Sequence, residues 1–162
     1  MLFAVLHKTS DGKEELAASV TYINTSAFDL ITEIGYVTTF PKFQRTHVTS
    51  NMLGLLLHYA LDLPEQGGLG LRRVQWVANS LNQPSLQAAE RLGFKAEGIF
   101  RWHRVIPSSK ASETNSNSKA VRNGDPRGID CPGRDSAVFS LCFDDWENGG
   151  RERIDNIMAR RK

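Results

Sequence analysis

Cysteine is scarce. The 162 residues contain only Cys131 and Cys142, with ten residues between them and no CxxC pair, so the pattern excludes a disulfide framework and predicts no structural zinc or other metal site. A reducing, cytoplasmic setting fits this usage. Long apolar runs are missing too: the short stretch within Met1–Lys8 has no basic residues before it and runs into a polar Asp11–Glu15, unlike a secretory signal or a membrane span. Charge of one sign is also lacking, with 20 basic and 18 acidic residues dispersed along the chain for a formal net +2. No global field recruits nucleic acid or a lipid surface. The pairs Arg72-Arg73 and Arg101/Arg104 and the terminal Arg160-Arg161-Lys162 belong to no nucleic-acid motif. Nor is there a GxxxxGK[ST] loop to hold a nucleoside triphosphate. What is present, 40% hydrophobic residues, suits one compact domain with an insertion or tail, because two independent cores would each be marginal.

Residues 2–8 and 15–23 read as strands joined through the Asp11-Gly12 turn signal. The next strand, Thr32–Phe40, places Ile34, Tyr36, Thr38 and Phe40 on one face, and Pro41 ends it. From Ser50 to Leu63 the residues Met52, Leu53, Leu55, Leu56, Leu57, Tyr59, Ala60 and Leu61 predict a helix that is largely buried. A buried strand over 72–80 follows, then a helix that opens on Asn82-Gln83-Pro84-Ser85 and stops at Gly93. Residues 94–106 and 136–146 complete the strands. The order predicts an α/β (α+β) mixed sheet in which a crossover helix joins two parallel strands.

Residues 107–134 are rich in Ser, Asn, Lys, Gly and Pro and predict a long disordered excursion within a hairpin. The domain therefore spans 1–147 with that insertion. Residues 148–162 form a basic tail or a short amphipathic helix with Ile154, Ile157 and Met158 on one side.

Two patterns carry chemistry. In Phe40–Leu53 a strand end runs through a polar turn into a helix, and successive amides at a positive helix end suit a pyrophosphate. Downstream, Asn82, Ser85, Gly93, Phe94, Glu97, Gly98 and Arg101 stand at a defined spacing, before a late Arg134–Trp146 strand. This combination resembles the GNAT superfamily of N-acetyltransferases, in particular the branch that acetylates ribosomal-protein N-termini and its small-molecule relatives. The resemblance covers about residues 1–106 and 134–147. In that family the pyrophosphate turn reads Q/R-x-x-G-x-G/A; here Gln44–Thr49 stands there, with His47 and Thr49 in place of the small residues. Against the family pattern the chain begins late, without the first strand and the first two helices that build the acceptor wall.

The resemblance implies a mostly antiparallel sheet with a central splayed parallel pair and flanking helices. It implies acetyl-CoA as co-substrate, held by the backbone of Val37, Thr38 and Thr39 and by Arg45, Thr46, His47, Val48 and Thr49. Asn82 either contacts the pantetheine chain or only caps its helix. Ser85 protonates the departing thiolate or only joins the cap. The tyrosine that many relatives use as general acid is replaced by Ala89. Glu33 is the candidate base, or an exposed strand-edge residue. His103 has the intrinsic pKa for proton exchange near neutrality and, with Asp135, is expected on the acceptor side, or is an ordinary surface residue. The function expected is acyl-CoA-dependent acetyl transfer to an amine of a small molecule or a peptide N-terminus, with a homodimer as one assembly. The alternatives are a CoA-binding or assembly module without turnover and a scaffold reused for natural-product chemistry.

Overall fold

Six strands hydrogen-bond in the order β1-β2-β3-β4-β6-β5, mostly antiparallel with one parallel pair. They are β1 (Leu2–Lys8), β2 (Glu14–Ser26), β3 (Ile31–Thr39), β4 (Arg73–Asn79), β5 (Lys95–Val105) and β6 (Gly133–Cys142). The helices that flank them are α1 (His47–Leu61), α2 (Gln83–Leu92) and α3 (Arg151–Met158). The structure is a computed structural model that describes residues 1–160. Two residues of the basic tail, Arg161 and Lys162, lie outside the described residues. Among the described residues, no helix is long and apolar enough to cross a membrane. The fold divides into two compact units: residues 1–75 with the segment from Leu141 onward, and Trp76–Ser140.

In the first unit the β1–β2 hairpin closes through Thr9, which donates its N–H to the Lys13 carbonyl, while Gly12 takes the left-handed conformation (φ 82°) that the turn requires. Val20, Ile34, Leu53, Leu57 and Val74 fill the core. The Tyr22 hydroxyl donates to the Leu56 carbonyl and ties β2 to α1. The period-two reading of β3 fails at Tyr36. Its φ of 50° and 77% exposure mark a bulge, and the β2–β3 register shifts between Ser19 and Thr21. Ile34 therefore points into the core while Tyr36 does not. Helix α1 begins at His47, three residues earlier than expected, because Thr46 caps it. Leu55 and Tyr59 are exposed, so this dense apolar run is buried on one side only.

After β6 the expected strand stops at Cys142 and Phe143–Asp145 turns helical. Helix α3 then lies against α1, with Ile154 fully buried and a Cβ on Gly54 colliding with Met158. Asp62, just past the end of α1, joins these parts. Its carboxylate accepts from His58 Nδ1 (2.8 Å), Trp146 Nε1 (2.8 Å) and Arg151 Nη2 (3.3 Å).

In the second unit, Asn82 caps α2 by accepting the Ser85 N–H at 3.3 Å, and Gly93 (φ 94°) ends the helix. Strands β5 and β6 pair antiparallel. Residues 107–134 follow an irregular path with several fixed points. Ile106 N–H donates to the Pro132 carbonyl, Asn117 N–H to the Gly133 carbonyl, and Asn79 Nδ2 to the Asn115 carbonyl.

Candidate active site

The parallel ladder between β3 and β4 has three rungs, Ile31↔Arg73, Thr32↔Val74 and Glu33↔Gln75. Strand β3 continues six residues beyond the last rung, paired with β2 through Thr38↔Ser19 and Thr39↔Ala18. Val37, Thr38 and Thr39 belong to this continuation. Its end is anchored to α1, because Thr39 Oγ1 and Thr49 Oγ1 share a 2.8 Å hydrogen bond and Gln44 Nε2 donates to the Thr39 carbonyl at 3.1 Å.

The polar turn expected between strand and helix divides into a short 3-10 turn, Pro41–Phe43, and the first turn of α1. Arg45 adopts φ 62°, a left-handed conformation that costs a non-glycine residue about 1–2 kcal/mol. The Thr46 hydroxyl donates to the Phe43 carbonyl (2.6 Å) and accepts the Val48 N–H (3.3 Å). That occupies one amide of the turn. The N–H groups of His47 and Thr49 are first-turn donors, for which a helix has no acceptor of its own. The His47 ring lies 5.6 Å from the ring of His7 on β1, and the Arg45 side chain is exposed.

Glu33 is buried at 8% exposure, so it is not the exposed edge residue its position in a strand allows. One carboxylate oxygen accepts from Asn24 Nδ2 at 2.9 Å. Asn24 is a partner that sequence reasoning misses, since it stands in a polar linker; its left-handed φ of 48° is the signal, and backbone angle is invisible in sequence. Asn51 is missed as well. Its side-chain oxygen is buried without a donor among the described residues, one position before an apolar run.

Asn82, Ser85 and His103 belong to the second unit. Ser85 Oγ accepts the Trp76 Nε1–H at 3.0 Å, which leaves the serine its own hydrogen to donate. Asn82 Oδ1 is engaged as the cap. Ala89 is fully buried. On β5, His103 packs edge-on against Phe100 with ring centroids 5.3 Å apart, and its Nδ1 is buried without a partner among the described residues. Burial lowers its pKa below the usual histidine value, and Arg104 and Arg134 add to the effect. Asp135 accepts from Asn117 Nδ2 (2.9 Å), Lys119 Nζ (2.6 Å) and the Trp102 N–H (2.8 Å). These bonds hold its carboxyl far below the usual carboxylate range. They also give Asp135 a structural task on the inserted segment. Among the described residues, Cys142, Asp144 and Asp145 bring one ligand atom each within 4.8 Å, but Asp145 already accepts the Cys142 N–H.

A mixed sheet whose parallel pair leads into a helix with open first-turn amides is an α/β architecture suited to a phosphorylated co-substrate. Comparison with known proteins makes this specific. Residues 1–95 match the family model for the acetyltransferase (GNAT) domain, and the chain belongs to that family. A GCN5-related N-acetyltransferase from Brucella melitensis is 27% identical with a TM-score of 0.72, over 98% of this chain and 57% of its own. A probable acetyltransferase from Chromobacterium violaceum is 28% identical with a TM-score of 0.65, over 90% of this chain and 58% of its own. The chain therefore spans less than two thirds of these relatives. The spermidine/spermine N-acetyltransferase SpeG from Vibrio cholerae, 14% identical with a TM-score of 0.61 over 91% of this chain and 69% of its own, shares the fold. No curated protein matches the sequence significantly.

Proposed function

We propose that this chain transfers an acetyl group from acetyl-CoA to an amine, on a small molecule or a peptide N-terminus, by direct attack. The downstream Asn82–Arg101 spacing supports a likeness to the branch that acetylates ribosomal-protein N-termini. The observation that carries the reading is the run from β3 into α1, where a bulged strand continues past its parallel ladder and ends at the first-turn donors of His47 and Thr49. Acetyl-CoA supplies a thioester already activated for acyl transfer.

The protein's part is positioning and proton handling. Val37, Thr38 and Thr39 offer strand backbone to the pantetheine arm. Arg45–Thr49 receive the pyrophosphate, with each charge-assisted hydrogen bond contributing on the order of 1.5–3 kcal/mol. As the new C–N bond forms and the C–S bond breaks, Glu33 draws the amine proton through water, and the Ser85 hydroxyl, oriented by Trp76, delivers a proton to the sulfur as it takes one from solvent water. His103, whose pKa burial lowers, is the second candidate to accept the proton.

The deciding experiment couples a thermal shift with acetyl-CoA to detection of free CoA across a panel of amines. A raised melting temperature with CoA release supports the transferase. Stabilisation without turnover across the panel points to a binding module, and no stabilisation removes the reading altogether.

A further inference from the structure

Phe143, the first residue after β6, donates its N–H to the carbonyl of Arg72, the residue before β4, at 3.0 Å. The loop that leaves α1 for β4 is closed in turn by Gly70 N–H on the Asp62 carbonyl (2.9 Å) and Leu71 N–H on the Ala60 carbonyl (2.8 Å). Where these segments meet, the surface opens into a recess of about 390 Å³, near the low end of the ~300–1,000 Å³ that small-molecule sites occupy. That size admits one small ligand. Because backbone hydrogen bonds hold the lining segments, the recess is preformed, and a ligand orders little of the chain on entering.

The lining is apolar except for two charges. Leu61 and Leu71 are buried, Leu63 and Phe143 are half-exposed, and Arg72 and Glu147 add one cation and one anion. Both charged side chains are exposed, and among the described residues neither makes a hydrogen bond or an ion pair, even with the other. Opposite charges that share a recess without pairing leave both open to a ligand, and together they select. An apolar carboxylate gains the planar fork of Arg72 but is repelled by Glu147, while an apolar amine gains Glu147 but is repelled by Arg72. A molecule that carries both charges beside an apolar group satisfies all three features. We propose that this recess binds a free α-amino acid with an aliphatic side chain, its carboxylate on Arg72, its ammonium on Glu147 and its side chain among Leu61, Leu63, Leu71 and Phe143.

This site is separate from the run of β3 into α1 and stands without any role for acetyl-CoA. Leu61 is the last residue of α1, and the 15 residues of that helix set it roughly 20 Å from His47 at the first turn. The ligand would bridge two parts of the fold that are already tied, since Trp146, next to Glu147, donates to Asp62, next to Leu61. Both charges stand at the open rim in high dielectric, so each ionic contact is weak and the apolar contact is small. A dissociation constant on the order of 1 mM follows, suited to sensing an abundant metabolite.

Titration of the full chain with L-leucine, followed by backbone amide NMR, tests this. Saturable shifts should appear at Gly70, Leu71 and Phe143, with none at His47–Thr49. Isocaproate, which lacks the ammonium, isoamylamine, which lacks the carboxylate, and glycine, which lacks the apolar group, should each bind at least ~10-fold more weakly. Arg72→Gln and Glu147→Gln, at exposed side chains without partners, should each weaken L-leucine at least ~10-fold with an unchanged melting temperature. The analogue series on the parent protein decides the matter even where a variant fails to fold. Absence of shifts at about 10 mM L-leucine, tenfold above the expected constant, would overturn the proposal. So would an analogue with one charge that binds as well as L-leucine, a folded variant with undiminished affinity, or shifts centred on His47–Thr49.

Discussion

Glu33 and Ser85 carry opposite halves of the proposed proton traffic, and their surroundings make each separately testable. Glu33→Gln keeps the shape and the hydrogen bond to Asn24 but removes the base. It should lower kcat by about 10²–10⁴-fold while acetyl-CoA still raises the melting temperature as in the parent. Ser85→Ala removes the acceptor of the Trp76 indole N–H, so it should cost about 1–3 kcal/mol in stability as well as turnover. A loss of stability with unchanged kcat would assign Ser85 a packing role alone. Asp135 serves the fold. Its folded pKa is depressed by Asn117, then Lys119 and the Trp102 N–H, so its contribution is full above the unfolded value of 3.8 and fades as pH falls toward the folded one. Asp135→Asn should lower the melting temperature at neutral pH, and the difference from the parent should shrink below about pH 4. Chemical denaturation at several pH values reads this directly.

Among the elements, α1 links the proposed acetyl-CoA site to the scaffold, with its first turn beside the end of β3 and its last turn held by Asp62. That carboxylate is buried and accepts from His58, Trp146 and Arg151. Burial alone would raise its pKa, but the hydrogen bonds from His58 and Trp146, with the charges of His58 and Arg151, outweigh burial and lower it. Asp62→Ala leaves these donors facing a gap and should destabilise the fold by about 3 kcal/mol, seen as an earlier denaturant midpoint. The strands and helices themselves were legible in sequence. Leu2–Lys8 and the Asn82 cap with its Gly93 stop stand where alternation and capping chemistry place them. The misreadings share one cause. Tyr36 was set in register with Ile34, and Leu55 and Tyr59 within a buried helix, on periodicity alone. Periodicity cannot register a bulge, or say which side of an apolar helix is left uncovered.

For the whole molecule, composition and element order carried the argument to a mixed α/β sheet, because each element's period and punctuation are written locally. The two spaced patterns carried it to the acetyltransferase family for the same reason: a turn that opens a helix and a cap that opens the next are contiguous in the chain. Contacts that join distant residues were decided by tertiary structure alone. Asn24 on Glu33, Trp76 beneath Ser85, Asp62 reaching Trp146, and the meeting of Arg72 and Glu147 at one recess each depend on backbone angles and strand register. Those quantities are settled by packing of the assembled sheet, where a shift of one residue turns a side chain from one face to the other, and no local pattern records it.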